Sequence, residues 1–297
     1  MTAISITPHK TFSPGRVIAI ASNTLLELVR LKVFYFLLFF SLACIGVSLL
    51  FVQLTSQEQF QVLKDVSLGA MSIFLWLLAV LPTAMLLPKD VEDRTLYTIL
   101  AKPVPRFEYL LGKLLGVLAL LLIATLLMSG VFFIVLYSYE QKALADTVWR
   151  YHDYPPERLA AELLDVRRSA FNVNLIQGIT LLYIKAAFCA SMTLFIATFS
   201  SSWIFTVIVS VIAYFIGNVQ WIAREAWQDH TGNIISTLFL AAVSIFFPDL
   251  HVFTIVDDVA TGLQIPMDLF LKAAGLGLSY TAFYLVIAYL VFAWKEL

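Results

Sequence analysis

Charged residues are scarce in this chain: 13% are Asp, Glu, Lys or Arg, against 61% hydrophobic. A soluble domain carries about 25% charged and about 45–50% apolar residues. A soluble core built from 297 residues cannot enclose that much apolar surface, so lipid must solvate the rest. Mean hydropathy, at +0.89, agrees. Cysteine is nearly absent. Cys44 and Cys189 both lie in apolar runs and read as small buried hydrophobes, which excludes a disulfide framework. No phosphate-cradling Gly-x-x-x-x-Gly-Lys-Ser/Thr loop occurs. Gly112-Lys113 lacks both the leading glycine and the trailing hydroxyl, so this chain is not expected to hydrolyse ATP. His9, His152, His230 and His251 are scattered and form no metal-ligand spacing. A net charge of −1 gives no sign of nucleic acid. Residues 1–16 lack an apolar core with a cleavage site, and no cleaved signal peptide is expected.

What is abundant is long apolar sequence. A spanning helix needs about 20 apolar residues, because each rises about 1.5 Å through a hydrocarbon core about 30 Å thick. Six runs qualify: 33–52, 67–87, 114–137, 177–199, 203–222 and 269–294. The expected fold is all-α and membrane-integral, since lipid offers backbone groups no partners. None of the six runs contains Asp or Glu, which argues against an ion-coupled secondary transporter. A membrane-embedded enzyme would need several polar groups at one depth. Only Lys185 lies well inside a run. Lys185 either lines an interior path or subunit interface, or snorkels to the outer boundary; the sequence leaves both open. The apolar stretch 234–247 is short for a span and precedes Pro248, so it is expected to re-enter.

Basic residues in short loops set the orientation. Lys10, Arg16, Arg30 and Lys32 precede the first run; Lys89, Arg94, Lys102, Arg106 and Lys113 lie between the second and third. Both groups share a side if the first two runs form a hairpin. That side is expected to be cytoplasmic, with both termini there and the loop 138–176 outside. Within that loop, Pro155-Pro156 marks a turn and 156–168 reads as a polar helix on the outer membrane surface or capping the bundle. The domain division is then a tail and amphipathic helix over 1–32, followed by a transmembrane domain over 33–297.

Two segments outside the spans carry patterns. Over 11–31, Val17, Ile18, Ala21, Leu25, Leu28 and Val29 recur at spacings of three and four, which predicts one apolar face. Ser22, Asn23, Glu27 and Arg30 fall on the other, with Glu27 and Arg30 at i,i+3. Such a helix lies in the membrane interface. Between the second and third runs, residues 88–113 form the sizeable cytoplasmic loop. Residues 91–100 are expected to form a short helix, with Asp90, Glu92 and Asp93 at its start, Lys102 near its end, and Pro103 and Pro105 stopping it. Leu96 and Ile99 share one face, which can dock in a partner's groove.

This loop, Glu92-x-x-Thr95-Leu96, then Leu100-x-Lys102-Pro103-Val104-x-Arg106 and Leu110-Leu111-Gly112-Lys113, resembles that of ABC-2-type permeases. The nitrous-oxide and multi-copper-enzyme maturation permeases are among them. Asn23-Thr24-x-x-Glu27-x-x-Arg30-x-Lys32 resembles that family's elbow helix, and Phe247-Pro248-Asp249-Leu250-x-x-Phe253 and the Lys295-Glu296-Leu297 end also match. Arg94 and Pro105 depart from the pattern, standing where Gly and Ser are common. The resemblance implies a permease subunit in the cell (inner) membrane that exports a substrate. It implies ABC ATPase subunits as partners, a second permease copy or paralogue, and a coupling contact through Glu92, Arg94, Thr95, Leu96, Ile99, Leu100, Lys102 and Arg106. No cofactor is expected on this chain; ATP and Mg would sit on the ATPase. A non-transporting membrane scaffold and a membrane-embedded enzyme remain alternatives, and the substrate is not legible. The topology has a direct test. Thr7→Cys should escape an impermeant thiol reagent on intact cells and Asp153→Cys should react; the reverse pattern would invert the chain.

Overall fold

The computed structural model describes residues 12–54, 59–92, 105–228, 249–262 and 265–294. These contain helices and no strand. α1 (Pro14–Val29) opens with proline, whose missing N–H costs nothing in a first turn. α2 (Lys32–Leu54), α3 (Gln59–Glu92), α4 (Arg106–Arg150), α6 (Asn174–Phe199), α7 (Trp203–Gln228) and α9 (Met267–Trp294) are the long apolar helices. Each is long and apolar enough to cross a membrane, which makes six candidate spans. α5 (Pro156–Ala170) and α8 (Ile255–Ala260) are shorter, and a 3-10 turn at Leu250–Thr254 precedes α8.

The hydrogen bonds fix the direction of travel. Asp90 near the end of α3 meets Lys113 near the start of α4, while Gln59 at the start of α3 meets Tyr139 far along α4. Arg106 at the start of α4 reaches carbonyls at the end of α9. α1 therefore lies at the bundle end shared by the close of α3, the opening of α4 and the close of α9; the opposite end is called the far end below. α6 forms the centre and is buried on most sides from Leu181 to Ala197. α2 and α7 each leave an apolar face exposed, including Phe36, Phe39 and Phe40 on α2 and Ile204, Ile208 and Ile212 on α7. Such faces suit lipid or another apolar subunit.

Several features depart from the sequence pattern. α4 does not end with its apolar run at residue 137. It continues to Arg150, a rod of 45 residues or about 68 Å, well beyond a hydrocarbon core of about 30 Å. The extension is held laterally: the Tyr139 hydroxyl donates to Gln59 Oε1, Phe60 packs edge-on against Tyr139, and α5 lies against α4. α3 likewise runs on to Glu92, the last described residue there, so Asp90 and Glu92 belong to the same helix as the second apolar run. The stretch 93–104, with the expected docking helix, and the apolar stretch 234–247 lie outside the described residues. The chain on either side of the second stretch meets at the far end, where the Trp221 and His251 rings stack at 4.6 Å.

The buried face of α1 is also rotated from the expected one. Val17, Thr24 and Leu28 are buried, whereas Ile18 is 64% exposed. The cause lies on α4. A Cβ on Gly116 would stand 2.7 Å from Thr24 Cβ and 2.8 Å from the Ala21 carbonyl oxygen; one on Gly112 would stand 2.7 Å from Ile20 Cβ. The two glycines, four residues apart, let the helix backbones touch, as small residues do between membrane helices. Ala21 and Thr24 are the small residues that fit there. Gly116→Leu should therefore push α1 off α4 and destabilise the protein by about 1–3 kcal/mol or more. Gly130→Ala, where an added Cβ would meet nothing within 4 Å, serves as the control. Melting of the detergent-purified protein separates them, and equal melting temperatures would refute the contact.

Candidate functional site: a charged junction at the α1 end

The polar side chains of the α1 end gather at the two ends of the stretch 93–104. Three groups of contacts make the junction. In the first, Arg16 of α1 forks onto Glu108 of α4: Nε donates to Oε2 at 2.6 Å and Nη2 to Oε1 at 2.8 Å. The Ser13 backbone N–H adds a third donor to Oε1 at 2.9 Å. Glu108 is fully buried, so its charge is tolerated only because these donors saturate it. The hydrogen bonds to Glu108 raise the Arg16 guanidinium above its ordinary value, against the opposing effect of its own desolvation.

The second group centres on Lys113. Its ammonium lies 2.7 Å from Asp90 Oδ2 and 3.6 Å from Glu27 Oε2. Asp90 also accepts a short hydrogen bond from the Tyr109 hydroxyl, and Lys89 stands 3.3 Å from Glu27 Oε1. The result joins α1, α3 and α4. Lys113 also supplies the charge that compensates the largely enclosed Asp90 carboxylate. The spacing of Glu27 and Arg30 suggests an ion pair within α1. Among the described residues the ion pairs of Glu27 instead run to Lys89 and Lys113.

The third group is Arg106. Its Nη1 donates to the carbonyls of Phe292 at 3.0 Å and Ala293 at 2.6 Å. Both carbonyls belong to the last described turn of α9. The guanidinium carbon lies 5.9 Å from the centre of the Phe292 ring, and Tyr109 stacks on the same ring at 6.0 Å.

Of the residues singled out in the sequence, Glu27, Glu92 and Arg106 stand at or beside this junction. Glu92 is exposed at the end of α3. Arg94, Thr95, Leu96, Ile99, Leu100 and Lys102 lie outside the described residues, and Arg30 is exposed. Lys185 is remote, midway along α6. Its ammonium lies 5.5 Å from the centre of the Tyr214 ring on α7, and Tyr214 stacks on Trp76 of α3 at 4.4 Å. The sequence pattern gave no prominence to Arg16, Asp90, Glu108 and Lys113 as partners. Their signal was charge close to the ends of apolar runs, and helix–helix pairing is not visible in one sequence. Among the described residues no group of three His, Cys, Asp or Glu side chains could hold a metal ion.

Six long apolar helices and a charged junction confined to one end define a multi-pass α-helical membrane protein. Residues 18–149 match the family model described as ABC-2 family transporter protein. Over that stretch the chain is similar to the ABC-2 family, whose members are membrane components of transport. The matched stretch runs from within α1 almost to the end of α4, and so includes most of the junction. A comparison with curated proteins finds no match.

The Lys113–Asp90 pair has a thermodynamic signature. Both side chains are largely enclosed, at 5% and 11% exposure. Lys113→Met or Asp90→Asn alone should cost about 1–3 kcal/mol, because each leaves an enclosed charge with one weaker partner, Glu27 for Lys113 and the Tyr109 hydroxyl for Asp90. The double variant should lose less than the sum, by a coupling energy on the order of 1–3 kcal/mol. A double-mutant cycle on the denaturation of the purified protein measures this, and strict additivity would show that the pair is not coupled.

Proposed function

We propose that this chain is the transmembrane permease subunit of an ABC transporter. It couples ATP hydrolysis by a separate ATPase to movement, outward, of a substrate not yet known. In this reading it sits in the cell (inner) membrane with the α1 end and both termini in the cytoplasm. A second permease copy or paralogue completes the pathway, and two ATPase domains carrying ATP and Mg bind below. The orientation is supported by Arg16, Arg30, Lys32, Lys89, Arg106 and Lys113, which crowd the α1 end.

The observation that carries the proposal is the junction. The stretch 93–104 leaves α3 two residues after Asp90 and enters α4 at Arg106. A push on that stretch reaches Asp90, Lys113 and Arg106 directly. Through them it reaches α1, α3, α4 and α9 as one linked body. Charged, enclosed networks of this kind have discrete arrangements rather than a continuum, which is what transmission between distant sites requires. α1 is the elbow in this scheme. It lies across the opening of α4 and moves with it, because Gly112 and Gly116 leave no slack.

Leu96 and Ile99 would bury against the ATPase groove, each contributing roughly 1.5–3 kcal/mol. Glu92 and Arg94 would make rim contacts, which contribute less. Replacing both Leu96 and Ile99 with Asp should leave insertion intact but release the ATPase or uncouple its hydrolysis from transport. Co-purification of the ATPase before and after the double change tests this. Unchanged co-purification together with unchanged transport would reduce the loop to a solvated turn and remove the proposal's main support.

A further inference from the structure

The far end holds a cavity of about 400 Å³ that the coupling scheme does not use. It lies between the end of α2, the start of α3, the extension of α4 and α5. Its size falls within the range of ordinary ligand pockets, about 300–1,000 Å³. Its two sides differ in kind. Leu49, Val52 and Phe60 form an apolar side, while Lys142, Asp146 and Arg150 of α4 form a polar one. The three α4 residues are spaced at four, so they share a face and extend over about 12 Å.

Depth makes this arrangement informative. Leu49 and Val52 belong to the last turn of the apolar run of α2, at the edge of the hydrocarbon. Lys142 and Arg150 lie beyond the apolar run of α4, where its helix has left the hydrocarbon. The cavity therefore straddles the boundary, apolar on the membrane side and cationic on the water side. Tyr139 also lines it, with its hydroxyl already committed to Gln59. No ion pair joins Lys142 or Arg150 to another side chain among the described residues. Asp146, one turn from each, offsets only one of the two cations.

We propose that this cavity binds an anionic amphiphile. Its phosphate or carboxylate head would lie against Lys142 and Arg150, and the first carbons of its chain along Leu49, Val52 and Phe60. The cations of Lys142 and Arg150 attract the head, and the apolar side favours a head that carries a chain. The inference rests on the geometry of the far end and not on the coupling scheme, so its test involves no ATPase.

The test is native mass spectrometry of the purified full chain in a neutral detergent, titrated with dodecyl phosphate. The Lys142→Gln/Arg150→Gln variant should bind at least about tenfold more weakly, the loss expected for charge-assisted hydrogen bonds. Lys142→Arg should retain binding, and so should Lys272→Gln, which removes an exposed cation of α9 that does not line the cavity. Phe60→Ala should weaken dodecyl phosphate severalfold, and inorganic phosphate should not compete for the site. Unchanged affinity in the double glutamine variant would overturn the proposal. Equal losses in the double variant and Lys272→Gln would also overturn it, since binding would then be diffuse surface attraction. Displacement by inorganic phosphate at similar concentration would show an anion site without the apolar subsite, and would overturn the amphiphile assignment.

Discussion

The backbone contact between α1 and α4 sets the geometry of the α1 end. Where Gly112 meets Ile20 and Gly116 meets Ala21 and Thr24, no α4 side chain separates the helices, so α1 can sit in only one register. That register places Arg16 opposite Glu108 and Glu27 opposite Lys113, on either side of the glycine contact. Each ion pair would be costly if misplaced, since an enclosed charge without its partner loses several kcal/mol. Close packing and charge pairing thus specify the same arrangement, and neither tolerates a slip of one residue. An interfacial helix with only an apolar face would be free to roll on the bundle. This one is not.

From that contact, the junction extends to the other helices through two residues of α4. Lys113 ties in α3 through Asp90, and Arg106 ties in α9 through the carbonyls of Phe292 and Ala293. The ties are short, directional and partly withdrawn from water, so they are stiffer than exposed surface pairs. The proposed coupling needs a rigid relay between a partner and the spans, and that relay is made of α4 and what its first two turns hold.

The far end is built differently. There the helices outrun the apolar stretches, and the α4 extension stands beside α5 with the Gln59–Tyr139 hydrogen bond and the Lys64 ammonium on the Ser169 carbonyl as its lateral ties. A cavity opens there, and the Trp221 and His251 rings stack at the same end. One end of the molecule is locked and the other leaves room. That asymmetry fits a protein in which force enters at one end and a guest is handled at the other.

The sequence by itself determined that this chain belongs in a membrane, where its six apolar runs lie, and that α1 starts near Pro14 as an amphipathic helix. Lipid makes those features local: a segment of about 20 apolar residues has no other stable form, and proline and periodicity act within a turn or two. It also led to the loop before α4, whose ordered motifs carry the family resemblance. Only the tertiary structure decided which face of α1 is buried, because that depends on two glycines 92 residues away from the residues they meet, Ile20 against Gly112 and Thr24 against Gly116. It decided that Glu27 serves Lys89 and Lys113 rather than Arg30, and that Asp90 belongs to α3 and pairs with Lys113. It also decided that α4 continues to Arg150, since residues 138–150 are too polar to announce a span and are held as helix by neighbours from α3 and α5. Pairings between distant segments are set by distance in space, and one sequence contains no record of that distance.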